Sequence, residues 1–392
     1  MKKNDILIDE FIFFVKEIYS ESNIPLHRPV FNGNEKNYLS ECIDTNFVSS
    51  VGKRVNGFEK NIADYTGSNF AIATVNGTSA LHISMILSGV EPGDEVLTQA
   101  LTFIATCNAI SYSGASPIFI DVDIDTLGMS PKSLKAFLAK YAIKKGKHTF
   151  NKLSGKRIGA CVPMHTFGFP LRIEEICDIC EDWNIPLIED AAESLGSLSN
   201  KKHTGTFGQM GTLSFNGNKV ITTGGGGMII TDDKDIAKKA KHITTTAKVP
   251  HSFKFIHDEI AYNYRMPNIN AALGCAQIER IQEMLSKKRI LHNQYRDFFS
   301  ETSIHLMEKI PDTEPNYWLN TIVLDSKKNR DEFLNLTNAK GVMTRPIWEL
   351  MSELEMFKHC QNDGLTNSYK MYELVVNIPS SVPFLKDIKN KK

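Results

Sequence analysis

The chain has 392 residues, 42% hydrophobic and 23% charged, enough for one large core with a smaller companion, since domains usually run to about 100–200 residues. Its 45 basic residues balance 45 acidic ones, so no net field favours a nucleic acid or an anionic membrane, and a small-molecule substrate is the starting expectation. The 7 cysteines form an odd set in apolar contexts, which reads as reduced thiols in a cytoplasmic protein and excludes a disulfide framework.

At the N-terminus, Phe11-Ile12-Phe13-Phe14-Val15 is flanked by Asp9, Glu10, Lys16 and Glu17. It is too short for a signal segment or a membrane span. An amphipathic helix packed on the body, or on a partner subunit, is predicted as an extension over residues 1–24. From about residue 70 to 232, short apolar runs alternate with helical stretches, the pattern of an α/β fold with a mostly parallel sheet covered on both faces. The predicted strands are Phe70–Val75, Glu95–Thr98, Pro117–Val122, Ile158–Met164, Pro186–Ile188, Thr212–Phe215 and Gly227–Thr231. Helical patterns lie at Ser79–Leu87, Ile104–Tyr112, Pro131–Tyr141 and Ile173–Trp183. The lysine-rich stretch from Lys144 to Lys156 reads as a solvated loop. Cys177 and Cys180 make a CxxC at helical spacing, and with no second CxxC or nearby histidine pair no metal is expected. Beyond Thr231 the sequence turns helical, with Asp235–Thr244 and then one long amphipathic run from Asn268 to about Arg289. Short strands and helices past residue 300 suggest a small α/β domain. The division read from this pattern is a large domain over 25–260 and a smaller one over 261–392 that includes the long helix.

Four places carry chemistry. Asn76-Gly77-Thr78-Ser79 follows a strand and opens a helix, so its N–H groups form a phosphate cradle at the positive helix end; the same residues also cap helices with no ligand. Phe103 comes just past the next strand, where a ring can stack on a planar cofactor, although phenylalanine alone is more often core. Pro186-Leu187-Ile188 runs directly into Glu189-Asp190, and ligands of parallel sheets lie off the carboxyl ends of strands. Asp190 can pair there with a protonated pyridine nitrogen, or simply cap a helix. Last, Lys219 sits between a strand ending in Ser214-Phe215 and the run Gly224 to Gly227. Glycines let backbone approach a bulky ligand, and a desolvated lysine can act as an imine-forming amine. A lone lysine is ordinarily a surface residue; its company is what gives it a function. Ser214 offers a further hydroxyl to the same phosphate.

These elements in this order resemble the sugar aminotransferases of the DegT/DnrJ/EryC1/StrS family, from about Ile24 to the C-terminus. The likeness is carried by PheGluLysAsnIleAlaAspTyrThrGly (58–67), AsnGlyThrSerAlaLeu (76–81), GlyAspGluVal (93–96), GluAspAlaAlaGlu (189–193), SerPheAsnGlyAsnLys (214–219), and AsnTyrArgMet followed by AlaAlaLeuGlyCysAlaGln (263–277). The resemblance implies aminotransferase fold type I, with pyridoxal 5'-phosphate held as a Schiff base on Lys219. It implies Asp190 at the pyridine nitrogen, Phe103 against the ring, Gly77, Thr78, Ser79 and Ser214 at the phosphate, and Glu193 near the ring substituents. Asn263 resembles the residue that reaches the neighbouring subunit's phosphate, which implies a homodimer with shared active sites. His165, Asn216 and Arg345 stand at positions that look like the substrate pocket. Two departures bear on substrate contacts: Asn216-Gly217-Asn218 stands where many members carry His-Pro-Thr, and Glu193 where many carry Gln or His.

Within the family, the segments 25–36, 45–52 and 163–168 are similar to aminotransferases of legionaminic acid or N-acetylbacillosamine biosynthesis. That likeness implies transfer of the amino group of glutamate to C4 of a UDP-linked 4-keto-6-deoxy-N-acetylhexosamine, with pyridoxamine phosphate as the intermediate cofactor form. The alternatives are a sugar dehydratase of the same fold, in which histidine typically replaces Lys219, and a catalytically silent regulator. The regulator would need a DNA-reading module that neither charge nor the short N-terminal segment supplies.

Overall fold

The computed structural model describes residues 3–383. Helices α1 (Lys3–Tyr19), α2 (Glu35–Asp44) and α3 (Lys53–Thr66) precede an alternating region. That region comprises β1 (Phe70–Thr74), α4 (Gly77–Leu87), β2 (Glu95–Gln99), α5 (Ile104–Tyr112), β3 (Ser116–Ile120), α6 (Pro131–Tyr141), β4 (Ile158–Val162), α7 (Ile173–Asp182), β5 (Ile188–Asp190), β6 (Met210–Ser214), β7 (Gly227–Thr231) and α8 (Lys234–Thr244). The ladder β3-β2-β4 is parallel, as is the pair β5-β6. Parallel bridges Cys161↔Leu187 and Met164↔Asp190 join the two, and β7 runs antiparallel between β6 and β1. All the predicted strands appear, and β7 alone is reversed among them.

The strands read as continuous apolar runs because both faces are covered. Met228 and Ile230 share a cluster with Phe58 and Ile62 of α3, whereas Ile229 between them joins Ala80 and Ile83 of α4. This is the two-residue side-chain period of a strand. Since β1, β5 and β6 all point the same way, their carboxyl ends, the start of α4 and the loop after β6 gather at one edge of the sheet, where ligands of such sheets bind.

The rest of the chain carries α9 (Asn268–Ile278), α10 (Ile281–Phe299), β8 (His305–Leu306), β9 (Asn320–Val323), α11 (Lys327–Ala339), β10 (Arg345–Pro346), α12 (Thr366–Leu374) and β11 (Val375–Ile378). Its strands form an antiparallel sheet in the order β8-β9-β11-β10. Helix α1 docks on the chain's own body: Phe11 lies 5.1 Å from Phe333 and 5.7 Å from Phe299 between ring centroids, and Phe14 stacks on Phe298 at 4.7 Å. Phe11 and Val15 are fully buried there, each worth about 1.5–3 kcal/mol of transfer energy. Among the described residues no helix is long and apolar enough to cross a membrane.

Two expectations need correction. The lysine-rich stretch contains a hairpin, Ala142–Lys145 paired with His148–Asn151, turned by Gly146 at φ +63°. Its lysines point to solvent, while the Asn151 amide donates to Glu95 and Gln361, each at 2.7 Å, and buries the other side. The long run from Asn268 breaks at Glu279-Arg280 into α9 and α10. Gln277 donates to the Val30 carbonyl and to Glu35, and Arg280 to the Asn32 carbonyl. The segment entering α2 thus pins the break, a long-range contact that apolar periodicity does not record.

Candidate active site

A cavity of about 370 Å³ opens at the carboxyl edge of the sheet. Its walls bring together Gly77 and Thr78 at the start of α4, Phe103 at the cap of α5, Asp190 at the end of β5, Glu193, Ser214 at the end of β6, and Asn216 and Lys219 from the loop that follows. The Lys219 amine lies 3.3 Å from Glu193 Oε1 and 3.9 Å from the centroid of the Trp318 ring. Glu193 is buried and accepts the Phe167 N–H at 2.9 Å. Burial pushes its carboxyl up to about 7, against the opposing pull of Lys219 and that N–H. An amine and a carboxyl that titrates near neutrality therefore share one wall.

Asp190 forms part of the floor. Burial raises its pKa, and the Thr106 hydroxyl at 2.7 Å and the Ala192 N–H at 3.2 Å pull the other way. A carboxylate so enclosed is best stabilised by a cation. At the start of α4, Asn76 caps the helix by accepting the Ser79 N–H at 2.8 Å, and the Ala80 N–H goes to the Asn76 carbonyl. That leaves the Gly77 and Thr78 N–H groups with no acceptor among the described residues, at a helix terminus suited to an anion. A Cβ added at Gly77 would lie 3.0 Å from that of Ser214, so the cradle and the serine hydroxyl adjoin.

Four expected residues do not line this cavity. Ser79 is buried one helical step round from Thr78, and its N–H is already used by the cap. His165 is fully buried and 3.0 Å from Glu189, which also accepts N–H bonds from Gly205, Phe207 and Gly208. Burial alone would raise Glu189; the His165 contact and these N–H groups bring it below its ordinary range. Side chains alternate across a sheet, so Met164 and Asp190 face the cavity while their neighbours His165 and Glu189 brace the far side. Arg345 lies exposed on β10, where it pairs with Asn377. Asn263 is exposed and accepts from Arg265 at 3.1 Å.

The glycine run also differs from expectation. A Cβ at Gly227 would come within 2.3 Å of the Asn76 carbonyl oxygen, and one at Gly226 within 2.2 Å of Thr223. The close approach is therefore of the chain to itself, and of the four only Gly226 reaches the cavity. The sequence reading missed Trp318 and Trp348, which form an aromatic wall with Phe103 and Phe167; Trp348 lies 4.8 Å from Phe167 and 6.2 Å from Phe103 between ring centroids. Trp348 ends the same ThrArgProIleTrp stretch from which Arg345 was taken.

The site fits pyridoxal phosphate: a buried carboxylate for a protonated ring nitrogen, free N–H groups and a hydroxyl for the phosphate, flat rings at the wall, and an amine for the aldehyde. The fold, with its reversed strand in an otherwise parallel sheet, is aminotransferase fold type I. The model of the DegT/DnrJ/EryC1/StrS aminotransferase family matches residues 30–389. The chain is 36% identical over 335 residues to the GDP-perosamine synthase of Escherichia coli O157:H7, covering 85% of this chain and 87% of that one. It is 33% identical over 362 residues to the GDP-perosamine synthase of Vibrio cholerae, covering 91% and 94%. Among solved structures, the aminotransferase TlmJ of Streptoalloteichus hindustanus shares the fold with a TM-score of 0.82 at 24% identity, over 91% of this chain and 93% of that one. The chain belongs to the DegT/DnrJ/EryC1/StrS aminotransferase family, and it is a sugar aminotransferase that uses pyridoxal phosphate.

Proposed function

We propose that the enzyme moves the amino group of glutamate to C4 of a UDP-linked 4-keto-6-deoxy-N-acetylhexosamine, with Lys219 anchoring the cofactor and carrying the protons. The observation that supports this chemistry most directly is the Lys219 amine held at one cavity wall between Glu193 and the Trp318 ring. The choice of sugar rests on the wording of residues 25–36, 45–52 and 163–168. Bound pyridoxal phosphate supplies an electron sink for the negative charge that develops on the amino-bearing carbon. Lys219, as a free amine, takes the proton from Cα of glutamate and in the second half returns one to C4 of the sugar. Glu193, near its own titration midpoint, exchanges a proton with that amine. Asp190 would hold the ring nitrogen protonated and balance its charge, Gly77, Thr78 and Ser214 would bind the phosphate, and Phe103 with Trp348 would shield the reacting atoms from water. Asn216 and Asn218 offer amides to the sugar at the cavity mouth, where both are exposed.

Asn263 is assigned to the partner's site. Its side chain is exposed outside the cavity of its own chain, which leaves it free to serve a neighbouring subunit, and the family resemblance at this position supports a homodimer as the active unit. A GDP-linked sugar is the second reading, favoured by the two relatives named GDP-perosamine synthase. Purified enzyme with glutamate and either the UDP- or the GDP-linked keto-sugar discriminates between them by product mass and 2-oxoglutarate release. Turnover of the UDP sugar is the expected result, turnover of the GDP sugar alone replaces it with the second reading, and inertness towards both would sink the two. Lys219→Ala should abolish turnover and the visible absorption of lysine-bound cofactor; retained turnover would remove Lys219 from its assigned role.

A further inference from the structure

We propose that Lys288 and His27, acting with Trp318, form a positioning assembly that fixes Lys219 at the reacting atoms. This rests on the reading of Lys219 given above. Lys288 lies fully buried in α10, and its hydrogen-bond partners among the described residues include no carboxylate. Its amine is caged by three acceptors: the Ser380 carbonyl at 2.5 Å, the Trp318 carbonyl at 3.2 Å and His27 Nε2 at 3.1 Å. Three acceptors satisfy the three N–H donors of an ammonium. Even so, burial lowers this lysine to about 7. An apolar side chain would fill the same space at less cost, so the cage points to a use for the amine beyond packing.

The use lies at the other end of the assembly. With Nε2 accepting from Lys288, neutral His27 carries its proton on Nδ1. That atom is buried without a hydrogen-bond partner. The His27 ring lies 6.5 Å from the Trp318 ring between centroids and beside the backbone of Asn218, the residue before Lys219; burial first, then Lys288 and Lys219, hold His27 well below its ordinary pKa. Trp318 meets the same residue: its indole N–H donates to the Asn218 carbonyl at 2.7 Å while its face supports the Lys219 amine. His27 is itself gripped on both sides, by Ser380 N–H to the Leu26 carbonyl at 2.7 Å and Arg28 N–H to Ser381 Oγ at 3.0 Å. The segment entering from α1, helix α10 and the strand end after β11 thus converge on the turn that presents the lysine.

The test uses full-length holoenzyme with Lys288→Met, His27→Phe and His27→Gln. Glutamine keeps an acceptor for Lys288, and phenylalanine keeps only the ring. Lys288→Met and His27→Phe should retain wild-type far-ultraviolet circular dichroism and borohydride trapping of the cofactor on Lys219. Their visible circular dichroism should weaken, and kcat should fall about tenfold with the KM for glutamate within about twofold. His27→Gln should recover most of both signals. Wild-type visible dichroism and kcat in both disruptive variants would overturn the proposal. If Lys288→Met fails to fold, equal loss in His27→Phe and His27→Gln overturns it, and recovery in the glutamine variant upholds it. Absence of any adduct on residue 219 in the wild type would instead overturn the reading of Lys219, and this proposal with it.

Discussion

Glu193 gives the site a pH dependence that can be measured without cofactor. In the unfolded chain its carboxyl ionises near 4.5; in the fold it does so at about 7. Between these values the folded state keeps a proton that the unfolded state has shed, so stability is present below the first value and is lost as pH rises through the second. Glu193→Gln removes that loss. The cofactor-free variant should be more stable than wild type by roughly 1–3 kcal/mol near pH 8 and equal to it near pH 4.5, by urea titration. The same gain at both pH values would show that ionisation is not its source. Of the site residues, those following a strand at a short offset were legible in the sequence: Phe103, Asp190, Ser214 and Lys219 all line the cavity. His165 sits at a strand end as Asp190 does, but one residue out of phase, and parity sends it to the opposite face. Trp318 and Trp348 were illegible because their place at the wall depends on how distant parts of the chain pack together.

Among the elements, β7 depends on its first residue having no side chain. The atoms a Cβ at Gly227 would meet are backbone, Asn76 C and O and Gly77 N, and backbone cannot swing aside. Gly227→Ala should cost about 3 kcal/mol and weaken cofactor binding by displacing the Gly77–Thr78 donors. Gly217→Ala, with nothing within 4 Å of the added atom, is the matched control. Urea midpoints and cofactor titration of the pair check this, and equal behaviour would show that the turn relaxes freely. The sheet itself was readable because its strands are buried on both faces and stand out as apolar runs. The hairpin at 142–151 was not: the residues buried on its second strand are the polar Thr149 and Asn151, and among lysines a polar pair carries no apolar alternation to read.

For the whole molecule, the shared-site reading makes a prediction that neither parent protein satisfies alone. Asn263→Ala lacks the residue lent to the partner, and Lys219→Ala lacks the cofactor lysine. In a mixed dimer one of the two sites contains neither defect. Co-refolding the two inactive variants should therefore recover about a quarter of wild-type activity, allowing for statistical mixing and one intact site in each hybrid. Recovery indistinguishable from zero, with hybrids present by mass, would show that Asn263 does not serve a neighbour's site.

The reversed strand β7 has one more consequence. It pairs with β1 on one side and β6 on the other, so the stretch supplying the phosphate donors and the stretch supplying the lysine are in register only when this strand sits between them. Long-range pairings of this kind are slow to form. A ligand that needs both stretches binds the folded chain and not the unfolded one, so vitamin B6 capture is expected to retard the chain's escape from the native state.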